Sequence, residues 1–86
     1  MSINGVSSTV LRLPDVRRKT GLGRSTILAQ VAVGLLPPPI RLGARAVGWV
    51  EQEIDAVLKA RIAGAGADKV KGLVAELVAA RSGEGV

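Results

Sequence analysis

Three consecutive prolines, Pro37-Pro38-Pro39, divide this chain into two parts that must fold by different rules. Each proline holds φ at about −65° and lacks a backbone donor, so no helix interior and no inner strand passes through them. Secondary structure ahead of them has to finish, and structure behind them has to start afresh.

Ahead of the prolines, Pro14 suits the first position of a helix and Asp15 complements the positive end of its dipole. Val16 is the inward residue of this short helix, because Arg17, Arg18 and Lys19 are too polar for a core. Thr20-Gly21 stops it, with Gly21 available for a left-handed cap. After Gly21-Leu22-Gly23 the stretch from Arg24 to Val33 predicts a second helix ended by Gly34, with Ile27, Val31 and Leu35 on one apolar stripe. Two short helices across a tight glycine turn form a helix-turn-helix pattern. Upstream, residues 10–13 alternate in a way that suits a short strand, and residues 1–9 have no period and are expected to be disordered.

Behind the prolines, Ile40-Arg41-Leu42 and Val47-Gly48-Trp49-Val50 flank Gly43-Ala44-Arg45-Ala46, which predicts a β-hairpin. In this setting the hairpin is a wing, and Trp49, the sole aromatic residue, is expected to anchor it on the core rather than stack on a base. A third helix follows. Glu51, Glu53 and Asp55 sit in its first turns and Lys59 and Arg61 in its last, matching the dipole at both ends. Ile54, Val57, Leu58 and Ile62 are expected to form its buried face. Beyond a Gly/Ala break, residues 68–81 carry a second stripe of Val70, Leu73, Val74, Leu77 and Val78, and residues 82–86 are expected to fray. The stripe serves either intramolecular packing or self-association with another copy; the small-residue break, which lets the helix swing away, favours self-association. The predicted architecture is mainly α with a small β-hairpin wing. It divides into residues 1–9, a winged helix-turn-helix domain over 10–63, and a Gly/Ala break with a C-terminal amphipathic helix over 64–86.

Composition narrows the function. The chain has no His, Cys or Tyr, and its carboxylates and serines fall in no catalytic spacing, so an enzyme is not expected. With no thiolate cluster, P-loop or dinucleotide fingerprint, neither a metal nor a cofactor is expected. The longest apolar run, residues 27–36, is broken by Gln30 and Gly34, and membrane insertion is set aside. A cytoplasmic, nucleoid-associated location is expected instead. Up to Val50, Arg12, Arg17, Arg18, Lys19, Arg24, Arg41 and Arg45 are opposed by Asp15 alone, whereas from Glu51 onward acids and bases nearly balance. A basic front and a near-neutral back are the electrostatic footprint of a surface that meets a polyanion.

The run Leu11-Arg12-Leu13-Pro14-Asp15-Val16, the run Thr20-Gly21-Leu22-Gly23-Arg24-Ser25-Thr26-Ile27 and the segment from Pro37 to Trp49 together resemble the AlpA-like phage and prophage regulators. These belong to a broader MerR-like winged-helix group that includes excisionases, or recombination directionality factors. The resemblance covers roughly residues 10–63. It implies that the helix opening at Arg24 enters the major groove of double-stranded DNA and that the wing reaches an adjacent phosphate or the minor groove. It also implies a role in mobile-element transcription, as activator or repressor, or in bending attachment-site DNA for an integrase.

The candidate DNA-binding residues are therefore Arg24, Ser25, Thr26, Ala29 and Gln30 on the second helix, Arg41 and Arg45 on the wing, and Arg17, Arg18 and Lys19 on the first helix. Arg24 contacts DNA or pairs with Asp15; Arg41 and Arg45 contact DNA or form a solvated hairpin tip; Arg17, Arg18 and Lys19 contact phosphates or are solvated charge. Ala29 suits a thymine methyl, Ser25 or Thr26 a base or phosphate, and Gln30 an adenine. Where the family usually has an aromatic or long polar residue followed by Arg or Lys, this chain has Leu28 and Ala29. That departure implies low sequence specificity per monomer and reliance on DNA shape and on several copies bound side by side, which favours the architectural role. The alternative from another class is a protein-interaction adaptor using the same apolar helix face.

Overall fold

The computed structural model describes residues 9–84. The elements run β1 (Val10–Leu11), α1 (Leu13–Thr20), α2 (Arg24–Ala32), β2 (Ile40–Arg41), β3 (Val47–Val50), α3 (Glu51–Ile62) and α4 (Ala67–Glu84). Of the lead-in expected over residues 1–9, all but Thr9 lies outside the described residues. The Thr9 carbonyl accepts a hydrogen bond from Glu51 N–H at 2.8 Å, which ties the start of β1 to the start of α3.

The hairpin is joined by a third strand. β3 is central, pairing antiparallel with β1 (Val10 opposite Val50, Leu11 opposite Trp49) and with β2 (Ile40 opposite Gly48, Arg41 opposite Val47). Gly48 is where both neighbours crowd in. A Cβ there would overlap the Val10 side chain and stand 3.0 Å from Leu42 Cδ1 and 3.1 Å from the Leu11 carbonyl. Trp49 then turns inward at 3% exposure, anchoring the sheet on the core as expected.

One aliphatic cluster around Trp49 serves every layer: Leu11, Val16, Ile27, Leu36, Ile54, Val57, Val70 and Val74 are all buried in it. α2 and α3 each end in a Schellman arrangement with a left-handed glycine. Gly34 (φ 84°) lets Leu35 N–H reach the Gln30 carbonyl at 2.8 Å, and Gly64 (φ 93°) lets Ala65 N–H reach that of Ala60 at 3.0 Å. Ile62 departs from expectation. It is 86% exposed, because the α3 stripe leaves the core after Val57 and Leu58 at the last residue of the helix.

α4 lies back on the same core. Val70 and Val74 are buried, and Leu73, Leu77 and Val78 pack against the cluster from its margin. The helix also runs past Arg81 to Glu84. Arg81 anchors that end: its Nε donates to Glu53 Oε2 at 2.8 Å, and its Nη2 donates to Glu53 Oε1 at 2.5 Å and to the Pro38 carbonyl at 2.8 Å. Glu53 is therefore more than a dipole partner; at 7% exposure it is a buried carboxylate that needs this guanidinium. Its hydrogen bonds to Glu53 raise the Arg81 pKa above the ordinary arginine value.

Replacing Gly48 by Ala should cost about 1–3 kcal/mol through overpacking, read as a fall in thermal midpoint without loss of helical circular dichroism. Arg81→Ala strands the Glu53 charge and should cost about 2 kcal/mol, a value reduced for the partial exposure of the pair. Arg81→Ala combined with Glu53→Leu should recover most of that loss in the same melt.

Candidate nucleic-acid interface

The turn between α1 and α2 is built by backbone chemistry. Gly21 takes φ 74° as the cap of α1, its N–H bonding the Arg17 carbonyl at 2.8 Å. The Thr20 hydroxyl donates to the Val16 carbonyl at 2.8 Å and accepts from Leu22 N–H at 3.2 Å, so one side chain links the end of α1 to the turn. Leu22 packs against the core, and Gly23 is the N-cap from which α2 departs. Within α2, Ile27 is fully buried and Val31 half-buried, which turns Ser25, Leu28, Ala29 and Ala32 outward to exposed positions.

The basic residues sort by partner. Arg18 pairs with Asp15 on its own helix. Lys19 reaches across to α3, 2.5 Å from Asp55 Oδ1 and 2.8 Å from Glu51 Oε2. These bonds, that to Asp55 first and that to Glu51 second, hold the Lys19 pKa above the ordinary lysine value. Asp15, already occupied by Arg18 and by Arg12 N–H, does not pair with Arg24. Arg17, Arg24, Arg41 and Arg45 are exposed and have no acidic partner among the described residues. Arg17 and Arg18 line a shallow groove with Pro14, Gly21, Leu22 and Gly23, beside the residue that opens α2. Arg41 lies on β2, and Arg45 lies in the hairpin tip that Leu42 N–H closes onto the Ala46 carbonyl at 2.8 Å.

Gln30 is half-buried, and its Oε1 accepts a hydrogen bond from Arg61 Nη2 at 2.7 Å. The same nitrogen donates to the Leu35 carbonyl at 3.1 Å. Arg61 thus clasps the C-terminal end of α2 from α3, where a cation also complements the helix dipole. No local pattern signals this role: Arg61 lies in the last turn of α3 and was legible there only as a dipole partner. The stripe on α4 is likewise occupied within the chain, as its packing on the core shows.

Two helices across a glycine turn, a hairpin joined into a three-stranded antiparallel sheet and a supporting third helix make this a winged helix-turn-helix protein. Residues 9–62 match the family model of the prophage CP4-57 regulatory protein AlpA, and the chain belongs to that family. It is 43% identical over 54 residues to the uncharacterized protein ORF88 of Enterobacteria phage P4, covering 63% of this chain and 61% of that relative. It is 40% identical over 58 residues to the DNA-binding transcriptional activator AlpA of Escherichia coli K12, covering 60% of this chain and 83% of the relative. The match to the phage protein thus spans about three-fifths of its length. No solved structure matches the chain significantly. Among the described residues, no helix is long and apolar enough to cross a membrane, and no group of acidic residues is placed to hold a metal.

Arg61→Ala should release the end of α2, with loss of about 1–2 kcal/mol for two half-buried charge-assisted bonds. Hydrogen exchange should localise the effect, accelerating the Leu35 and Leu36 amides more than those of α3.

Proposed function

We propose that this chain is a DNA-binding regulator of a mobile genetic element, with α2 in the major groove and the β2–β3 wing on adjacent phosphates or in the minor groove. The observation that carries the proposal is the presence of four unpaired cations on the helix-turn-helix and the wing, although exposed Lys59, Lys69 and Lys71 are unpaired among the described residues as well. Arg17 and Arg24 lie at the helix-turn-helix and Arg41 and Arg45 on the wing, exposed and without acidic partners among the described residues. These four residues fall inside the segment that defines the family, one of whose members is a DNA-binding transcriptional activator. Arg18 contributes its outer face, while Lys19 is held by α3.

Within that class, the reading favoured is an excisionase-like directionality factor that binds cooperatively and bends attachment-site DNA for an integrase. What supports it is the short, mostly apolar outer face of α2, which suits positioning on deformable DNA better than recognition of one operator. Its setting would be the cytoplasm, on the nucleoid, with double-stranded DNA and further copies of the chain as partners. A transcriptional activator of AlpA type is the second reading, supported by the E. coli relative.

Gel-shift titration at two salt concentrations tests the proposal, using the element's attachment-site and promoter DNA with scrambled competitor. Arg24→Ala combined with Arg45→Ala should weaken binding to all sequences alike and lower the salt slope by about 2, one for each lost phosphate contact. Absence of any shift at low salt would move the function to a protein adaptor. Excision products formed without RNA polymerase would separate the two DNA-binding readings.

A further inference from the structure

The outer face of α2 is apolar in a region of positive charge. Leu28 is 44% exposed and Val33, at the C-cap, 55%; Ala29 and Ala32 are exposed between them, and the polar groups there are the short hydroxyls of Ser25 and Thr26. Gln30, the one side-chain amide on this helix, has its carbonyl oxygen engaged by Arg61 and its side chain half-buried. A bidentate adenine contact needs that oxygen and the amide nitrogen together. Beyond its first residue, Arg24, α2 therefore presents no long hydrogen-bonding group to a partner.

A purely apolar partner would suit Leu28 and Val33 but not the unpaired Arg17 and Arg24 at the other end of the same motif. The DNA major groove joins fixed negative charge to isolated apolar groups, since phosphates flank the C5-methyl of thymine. Both A·T and G·C pairs would have donors and acceptors covered by this helix, and only thymine offers a methyl group in return. We propose that α2 reads DNA chiefly through thymine methyl groups, with Leu28, Ala29, Ala32 and Val33 as the contacting side chains. This rests on the DNA-binding reading above and adds the chemistry by which a sequence would be chosen.

The test uses the full chain and a pool of short random duplexes. The duplex bound best after selection is remade with deoxyuridine in place of every thymidine, which deletes the methyls and keeps every hydrogen-bonding edge. Each contacted methyl should contribute about a three- to fourfold difference in affinity, so two or three of them predict a loss of roughly tenfold or more. Leu28→Ala combined with Val33→Ala changes exposed side chains and should shrink the ratio between thymidine and deoxyuridine duplexes toward one. Equal binding of the two duplexes by the unaltered chain overturns the inference and leaves DNA binding intact. A deoxyuridine penalty that persists undiminished in the double variant also overturns it, because the two largest of the proposed contacts then contribute nothing to methyl reading. Failure to enrich any duplex at low salt removes both this inference and the DNA-binding reading, leaving the face as a protein contact.

Discussion

The burial of Trp49 is the interaction on which the other contacts depend. It stands on the central strand, opposite Leu11, and α3 starts two residues later, so one indole sets the position of the sheet and of the helix that supports it. The remaining core is aliphatic, and no other side chain supplies comparable area. Its indole Nε1 is buried without a hydrogen-bond partner among the described residues. Leaving such a donor unmet costs about 1–3 kcal/mol, a cost offset by the apolar area the ring removes from water. Gly48 belongs to the same arrangement, since the close approach of β1 that places Leu11 over Trp49 leaves no room for a Cβ one residue earlier.

Much of the architecture was legible because proline and glycine mark its boundaries. Pro14, Gly21, Gly34 and Pro37-Pro38-Pro39 delimit α1, α2 and the wing by constraints on single residues, which need no knowledge of the rest of the chain. What was not legible depends on partners far away in sequence. Residues 10–13 suited a strand, but its place beside β3 is set by Trp49 and Val50. Ile62 continued the α3 period and yet is exposed, because periodicity does not reveal where a core stops. The α4 stripe was open to packing or self-association, and only the tertiary fold shows Val70 and Val74 buried in their own core.

The candidate interface shows the same division. Sequence identified the basic residues but could not tell which of them are neutralised. Lys19 is held by Asp55 and Glu51, Arg18 by Asp15, and Gln30 by Arg61, whereas Arg17, Arg24, Arg41 and Arg45 keep their charge without an acidic neighbour among the described residues. The electrostatic footprint is therefore narrower than a count of charges implies. It is also more structured, because Lys19 and Gln30 tie α1 and α2 to α3 while the unpaired residues face outward.

The Arg81 clasp bears on which of these residues share one core. The segment shared with the AlpA family closes at residue 62, yet the buried cluster draws two members from α4, and Arg81 joins that helix to Glu53 and to the backbone just before the wing. The stretch matched by the family model and the packed core do not coincide. A fragment cut to the family boundary would keep the helix-turn-helix and the wing in its sequence. It would open one wall of the core to water and leave Glu53 without its counter-charge.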